Sequence, residues 1–225
     1  MASSEPTRVA ALIYDMDDTI VQSERINDEL FSGLLRMEYG IDLSQGELDE
    51  VYGFAWSGVF EWLKERRGLV IPRQEVWTRF LEVKGAFRGT RRLRAATGFD
   101  RMLALPVPQA IVSGSTREEI RMILENIGLS KGSVQFILSD EDCARGKPDP
   151  EGFLLALQRL GSRAEETLVF EDSPAGIQAA RHAGIPVAFV AELASRDSGA
   201  LADLRFETFL DASSWVRERI ASRTL

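Results

Sequence analysis

Short, uninterrupted apolar runs alternate along this chain with stretches in which apolar residues return every three or four positions. The runs fall at 9–14, 110–114, 134–138, 167–171 and 186–190. Each is short for a helix and has no alternating polar face, the pattern of a strand buried on both sides. With helical stretches between them, they predict an α/β fold, a parallel sheet covered by helices on both faces. Ser115 with Glu118 reads as a capping box ahead of Ile120, Ile123 and Leu124, and Gly128 as the stop. Asp149-Pro150 and Ser173-Pro174 open two further helices, with proline at the first helical position. A last strand is expected at 206–210 and a short helix from Ser213.

Residues 21–92 break this rhythm, carrying successive amphipathic helices and no strand pattern. Leu30, Leu34 and Leu35 form one stripe, Ser44 with Glu47 caps a second helix, Val59, Phe60, Trp62 and Leu63 mark a third, and Val76, Trp77, Phe80 and Leu81 a fourth. The expected organisation is therefore an α/β core from residues 1–20 and 93–225, with a helical unit at 21–92 inserted after the first strand. Gly85, Gly89 and Gly98 predict a flexible return.

With 225 residues, 44% hydrophobic and 28% charged, the chain has the composition of an ordinary globular protein. Its formal net charge of −8 argues against a general nucleic-acid binder. No stretch is apolar for long enough to span a bilayer, and the start lacks a signal-peptide pattern, so a cytoplasmic location is expected. The single cysteine, Cys143, permits no internal disulfide and fits a reducing compartment. His182 reads as a charge near a helix end.

The candidate chemistry lies where the apolar runs stop. Asp15-Met16-Asp17-Asp18-Thr19 follows directly on Val9 to Tyr14, placing carboxylates at a strand end, where open α/β sheets carry their sites. Carboxylates one residue apart repel unless a cation or a shared proton joins them, and a divalent metal is the expected resident. Ser113 closes the run Ala110-Ile111-Val112, Lys147 precedes Pro148-Asp149-Pro150, and Glu171-Asp172 ends Thr167 to Phe170. Taken singly, the acids could cap a helix, the serine could sit in a turn and the lysine could be solvated.

As an ordered set, DxDxT, a serine after a strand, a lysine in "GKPDP" and paired acids in "EDSPAG" resemble the haloacid dehalogenase superfamily of aspartate-nucleophile phosphotransferases. The resemblance lies nearest the subgroup containing β-phosphoglucomutase and the sugar-phosphate and phosphogluconate phosphatases. It implies a Rossmann-like three-layer core with a parallel sheet, plus an inserted α-helical cap domain over the phosphate site. It also implies a Mg²⁺-dependent phosphatase acting through an aspartyl-phosphate on a small phosphorylated metabolite, as a monomer or weak dimer. Asp15 would be nucleophile and metal ligand. Asp17 would be acid and base, with its backbone carbonyl on the metal, and Asp172 a further ligand. Glu171 would bind the metal directly or through water. Ser113, Gly114 and Lys147 would hold the phosphoryl group, and Thr19 would orient the loop.

In the cap, Gly53 and Trp56 match positions that face the substrate, whereas Phe54, Phe60 and Trp62 read as core of the helical unit. The loop Phe54-Ala55-Trp56-Ser57 lacks the arginine with which β-phosphoglucomutase holds a second phosphate, so a sugar phosphomutase is the second reading. Asp18 stands where many relatives have glycine. Arg88, Arg91, Arg92 and Arg94 read as a solvated face. A dehalogenase would need neither Asp17 nor Asp172, and a signalling receiver domain would lack the helical insertion.

Overall fold

The computed structural model describes residues 5–51, 56–90, 92–129 and 132–220. Strand β1 (Ala11–Tyr14) is followed by helices α1 (Glu24–Tyr39), α2 (Gln45–Val51), α3 (Trp56–Arg67), α4 (Arg73–Thr90) and α5 (Phe99–Leu103). Then come β2 (Gln109–Val112), α6 (Arg117–Asn126), β3 (Phe136–Leu138), α7 (Glu151–Leu160), β4 (Thr167–Phe170) and α8 (Pro174–His182). The chain closes with β5 (Val187–Val190), β6 (Leu204–Phe206) and α9 (Phe209–Arg219). It divides into two compact units, Met1–Gln22 with Leu93–Leu225, and Ser23–Arg92.

In the first unit, six parallel strands lie in the order β3-β2-β1-β4-β5-β6. Because successive side chains on a strand point to opposite faces, the sequence of β1 sorts itself between two layers. Ile13 joins Val112, Val169, Phe153, Ala156 and Ile177, packing α7 and α8 on one face. Tyr14 turns to the other, where its ring lies 5.0 Å from Phe99 of α5, 5.4 Å from Phe170 and 5.9 Å from Phe209 of α9. The result is a Rossmann-like three-layer α/β core. The Tyr14 hydroxyl, fully buried, donates to Gln109 Oε1 at 2.9 Å, so its polar end is satisfied. β1 has β2 on one side and β4 on the other, which places the reversal of strand order, and hence the crevice, at its carboxyl end.

The second unit holds α1 to α4 around Phe31, Leu34, Leu35, Val59, Phe60, Leu63, Val76 and Phe80, all buried. Full burial of a side chain such as Leu63 is worth about 1.5–3 kcal/mol, and such burial holds short helices that would not persist alone. Ser44 and Glu47 bond reciprocally at the start of α2, as their spacing predicts. Trp62 is only half-buried, its indole N–H donating to Glu50 at 3.1 Å. Among the described residues no helix is long and apolar enough to cross a membrane.

Several boundaries differ from the sequence reading. The α6 capping box is formed by Thr116 and Glu119, one residue later than Ser115 and Glu118, because the Ser115 hydroxyl is engaged elsewhere. α7 starts at Glu151, with Pro150 at the capping position and Asp149 accepting the Glu151 N–H at 3.0 Å. The last strand ends at Phe206, since Thr208 and Asp211 cap α9 and start it four residues early. Gly85 and Gly89 lie inside α4, and Gly98 is a packing position, not a flexible one. Its φ is +84°, and a Cβ there would meet the Leu210 backbone nitrogen at 2.5 Å.

Two segments of the first unit run alongside each other. Gln22 N–H donates to the Arg94 carbonyl at 3.0 Å, Ala96 N–H to the Ile20 carbonyl at 2.8 Å, and Val21 bridges Ala95 antiparallel. Glu192, in the loop after β5, accepts from Arg94 at 2.6 Å and from the Thr97 backbone and hydroxyl at 2.8 and 2.7 Å. Arg92 is exposed; Arg91 and the side chain of Arg88 lie outside the described residues.

Candidate active site

The sheet delivers its carboxylates in register. Asp15 N–H donates to the Phe170 carbonyl at 2.9 Å, continuing the β1–β4 ladder by one step, so that Asp15, Glu171 and Asp172 leave neighbouring strands at one level. Oxygens of these three buried side chains all lie within 4.8 Å of one another. Ser113 leaves β2 beside them, its N–H bonded to the Leu138 carbonyl at 3.0 Å. Lys147, from the loop between β3 and α7, is largely buried, with Nζ 2.5 Å from Asp15 Oδ1 and also bonded to Glu171 Oε1. The Lys147–Pro148 peptide is cis.

Three buried carboxylates cluster here, and the Lys147 ammonium pairs with two of them, Asp15 and Glu171. Burial pushes Asp15 well above the usual carboxylate range, with Lys147 opposing and Glu171 adding to the rise. Burial and the charge of Glu171 do the same to Asp172. Burial alone would lower Lys147, but Asp15 and Glu171 outweigh it and hold the ammonium above its ordinary range. Such a cluster of hard oxygen donors, short of positive charge, fits a divalent cation of the Mg²⁺ type. The carboxylates of Asp15 and Asp172 are the ligands best disposed to hold one. Thr19 donates to Asp172 Oδ1 at 3.1 Å and orients it. Both oxygens of Glu171 are engaged: Oε1 by Lys147, and Oε2 by the Ser173 backbone at 2.8 Å and hydroxyl at 3.0 Å.

The Asp17 carboxylate stands outside this trio. Its Oδ2 accepts from the Ser115 hydroxyl at 2.9 Å and lies 3.4 Å from that of Ser113. Asp15 Oδ1 is thus paired with the Lys147 ammonium, while Asp17 Oδ2, two residues on, meets serine hydroxyls.

The family model for haloacid dehalogenase-like hydrolases matches residues 12–190, from β1 through β5. The chain belongs to that family. Among its relatives are the validoxylamine A 7′-phosphate phosphatase of Streptomyces hygroscopicus subsp. limoneus, 28% identical over 77% of this chain and 81% of that protein, and a fructose-1-phosphate phosphatase of Escherichia coli, 28% identical over 79% and 94%. A haloacid dehalogenase-like protein of Agrobacterium tumefaciens superposes with a TM-score of 0.76 at 25% identity, covering 93% of this chain and 98% of that one. A hydrolase from Pseudomonas syringae shares the fold with a TM-score of 0.79 at 21% identity, covering 94% of this chain and 100% of that one.

Of the residues singled out in the sequence, Asp15, Asp17, Ser113, Lys147, Glu171 and Asp172 converge, and exposed Gly114 adjoins them in sequence. Gly53 and the side chain of Trp56 lie outside the described residues. Cys143 is half-buried, and burial pushes its thiol up, away from the reactive thiolate. His182 is exposed at the end of α8. The φ of Asp18 is +54°, which glycine adopts freely and aspartate tolerates better than most side chains. Its buried carboxylate accepts the Ser195 hydroxyl, a partner that no pattern in the chain marks.

A glycine in the family's "SPAG" segment proves as constrained as the acids. A Cβ on Gly176, in the first turn of α8, would lie 1.7 Å from Glu171 Oε1, so the carboxylate occupies the space a side chain would take. Gly176→Ala must drive Glu171 off Lys147 and Ser173. We expect a stability loss of about 1–3 kcal/mol by urea denaturation, accompanied by loss of activity. Gly33→Ala, in a helix with nothing within 4 Å, should instead be neutral or stabilising. Equal behaviour of the two variants would contradict the role given to Gly176.

Proposed function

We propose that this hydrolase is a Mg²⁺-dependent phosphatase that cleaves a small phosphorylated metabolite, a sugar phosphate or sugar-acid phosphate, through an aspartyl-phosphate on Asp15. The observation that carries this reading is the contact of Asp15 Oδ1 with Lys147 Nζ beside Glu171 and Asp172, at the carboxyl ends of β1 and β4. Relatives named as phosphatases of fructose 1-phosphate, of 6-phosphogluconate and of phosphorylated carbohydrates support the substrate class.

Phosphate monoesters resist hydrolysis because an anionic nucleophile must approach an anionic phosphoryl group. A bound Mg²⁺, held by Asp15, Asp172 and the Asp17 backbone carbonyl, would supply further screening of that charge. Lys147 Nζ lies 2.5 Å from Asp15 Oδ1 and offers a fixed positive charge to the phosphoryl oxygens. Ser113 and the Gly114 backbone would donate hydrogen bonds to them. Asp15 attacks phosphorus in line while the bond to the leaving oxygen breaks, and Asp17 gives that oxygen its proton. Asp17, now a carboxylate, takes a proton from the water that attacks the aspartyl-phosphate, releasing inorganic phosphate and restoring Asp15. Glu171 holds Lys147 and the start of α8 in place. Gly53 and Trp56, in the helical unit, would meet the non-phosphate part of the substrate. The phosphomutase reading ranks second, because the loop at 54–57 carries no basic residue for a second phosphate.

Phosphate release from a panel of sugar and sugar-acid phosphates, by chelator-stripped protein with and without Mg²⁺, tests this function. Activity should appear with Mg²⁺ and fall with Ca²⁺, whose larger and looser shell misplaces the reacting groups. Full activity without metal would refute it, as would hydrolysis of no ester on the panel. Stability gives a second readout. The carboxyls of Asp15 and Asp172 are raised in the fold, so their contribution is complete below the unfolded carboxylate range and is lost as pH rises through the folded values. Mg²⁺ needs them ionised. At a fixed Mg²⁺ concentration the thermal shift, about 5 °C where that concentration is 100 times Kd, should therefore grow from pH 5 to pH 8. A shift that is flat, or larger in acid, would count against these ligands.

A further inference from the structure

Ser115 lies two residues beyond the serine of the family motif, and the structure gives it a distinct place. Three contacts fix its backbone. Its N–H donates to Ser113 Oγ at 3.0 Å, its carbonyl accepts from Asp140 N–H at 3.1 Å, and the next residue, Thr116, is held by the reciprocal cap with Glu119. With the main chain held, the hydroxyl is aimed at Asp17 Oδ2, 2.9 Å away. The Ser113 hydroxyl reaches the same oxygen at 3.4 Å and already accepts the Ser115 N–H. The two serines therefore differ. Ser113 stands at the end of β2 and makes the longer contact with the acid, whereas Ser115 makes the shorter bond.

We infer that Ser115 is a positioning residue for Asp17, holding its carboxyl group on the line to the leaving oxygen while Ser113 serves the phosphoryl group. This rests on the phosphatase reading. A half-buried aspartate has several rotamers, and only one presents its proton to the leaving group; a fixed donor on Oδ2 selects among them. Misplacement of a catalytic group by about 1 Å costs about 100-fold in rate. Ser115 has no bond to Asp15 or Asp172 and meets Asp17 through its side chain, not through the backbone carbonyl proposed to hold the cation, so its removal should spare cation binding.

Leaving-group dependence tests this. An alkoxide must be protonated as it departs, whereas p-nitrophenolate is stable as an anion and departs without a proton. In Ser115→Ala we expect the single-turnover rate of leaving-group release from the best alkyl ester of the panel to fall about 30–100-fold. The pre-steady-state burst of p-nitrophenolate from p-nitrophenyl phosphate should fall by no more than about threefold, since that step needs no acid. Ser115→Thr, which keeps the hydroxyl, should recover most of the alkyl-ester rate, and the Mg²⁺-induced thermal shift should be unchanged in both variants. Equal losses on the two esters, or parental rates in Ser115→Ala, would overturn the assignment while leaving the phosphatase reading intact. A parent enzyme that hydrolyses neither ester would overturn both.

Discussion

Asp15→Asn should reduce phosphate release by at least about 10⁴-fold on every ester the parent hydrolyses, because an amide cannot form the aspartyl-phosphate and no other described carboxylate is bonded to Lys147 from the end of β1. The fold should survive. Burial already pushes the Asp15 carboxyl toward its neutral form, and the amide occupies the same space without the charge that burial penalises. Lys147 keeps Glu171 as a partner. Circular dichroism should match the parent, and the Mg²⁺-induced thermal shift should shrink, since an amide oxygen is a weaker ligand. Residual turnover within tenfold of the parent would remove Asp15 from the nucleophile's role.

Lys147→Met should do damage of another kind. The side chain fits a similar volume but leaves Asp15 and Glu171 without their ammonium, in a buried cluster that also holds Asp172. Removing one member of a buried ion pair costs about 3–5 kcal/mol, because the remaining charge is uncompensated. The loss should be largest in metal-free protein at pH 8, where Asp15 and Asp172 are driven toward ionisation. It should shrink near pH 5 as Asp15 and Asp172, already raised by burial, take up protons. Turnover with Mg²⁺ should fall by about 10³-fold or more, since the phosphoryl oxygens lose a fixed charge. Urea titrations at the two pH values measure the first effect. A destabilisation below about 1 kcal/mol at pH 8 would show that Lys147 does not hold these acids together.

The chain announces its strands and acids because both are local. Uninterrupted apolar runs can be read directly, and a carboxylate just after such a run is placed at the sheet's carboxyl end by connectivity alone. Lys147 was legible only through its "GKPDP" context, for the loop that carries it has no periodicity. What the sequence hid depends on neighbours far along the chain. Ser115 and Thr116 are equivalent as helix caps until Asp17, 98 residues away from Ser115, claims the Ser115 hydroxyl. Gly98 suggests flexibility until the Leu210 backbone is seen pressed against it, and Gly176 is ordinary until the Glu171 carboxylate fills its missing side chain. Ser195 carries no local mark at all; its significance comes from Asp18, 177 residues earlier.

The antiparallel pairing of 20–22 with 94–96 has an architectural consequence. Hydrogen-bonded strands stand about 5 Å apart, so everything between Ser23 and Arg92 departs and returns through one narrow gate. The excursion is in effect a graft. A tight turn could close the gate, and inserts of other lengths could be spliced there, without moving β1 or the acids at its end.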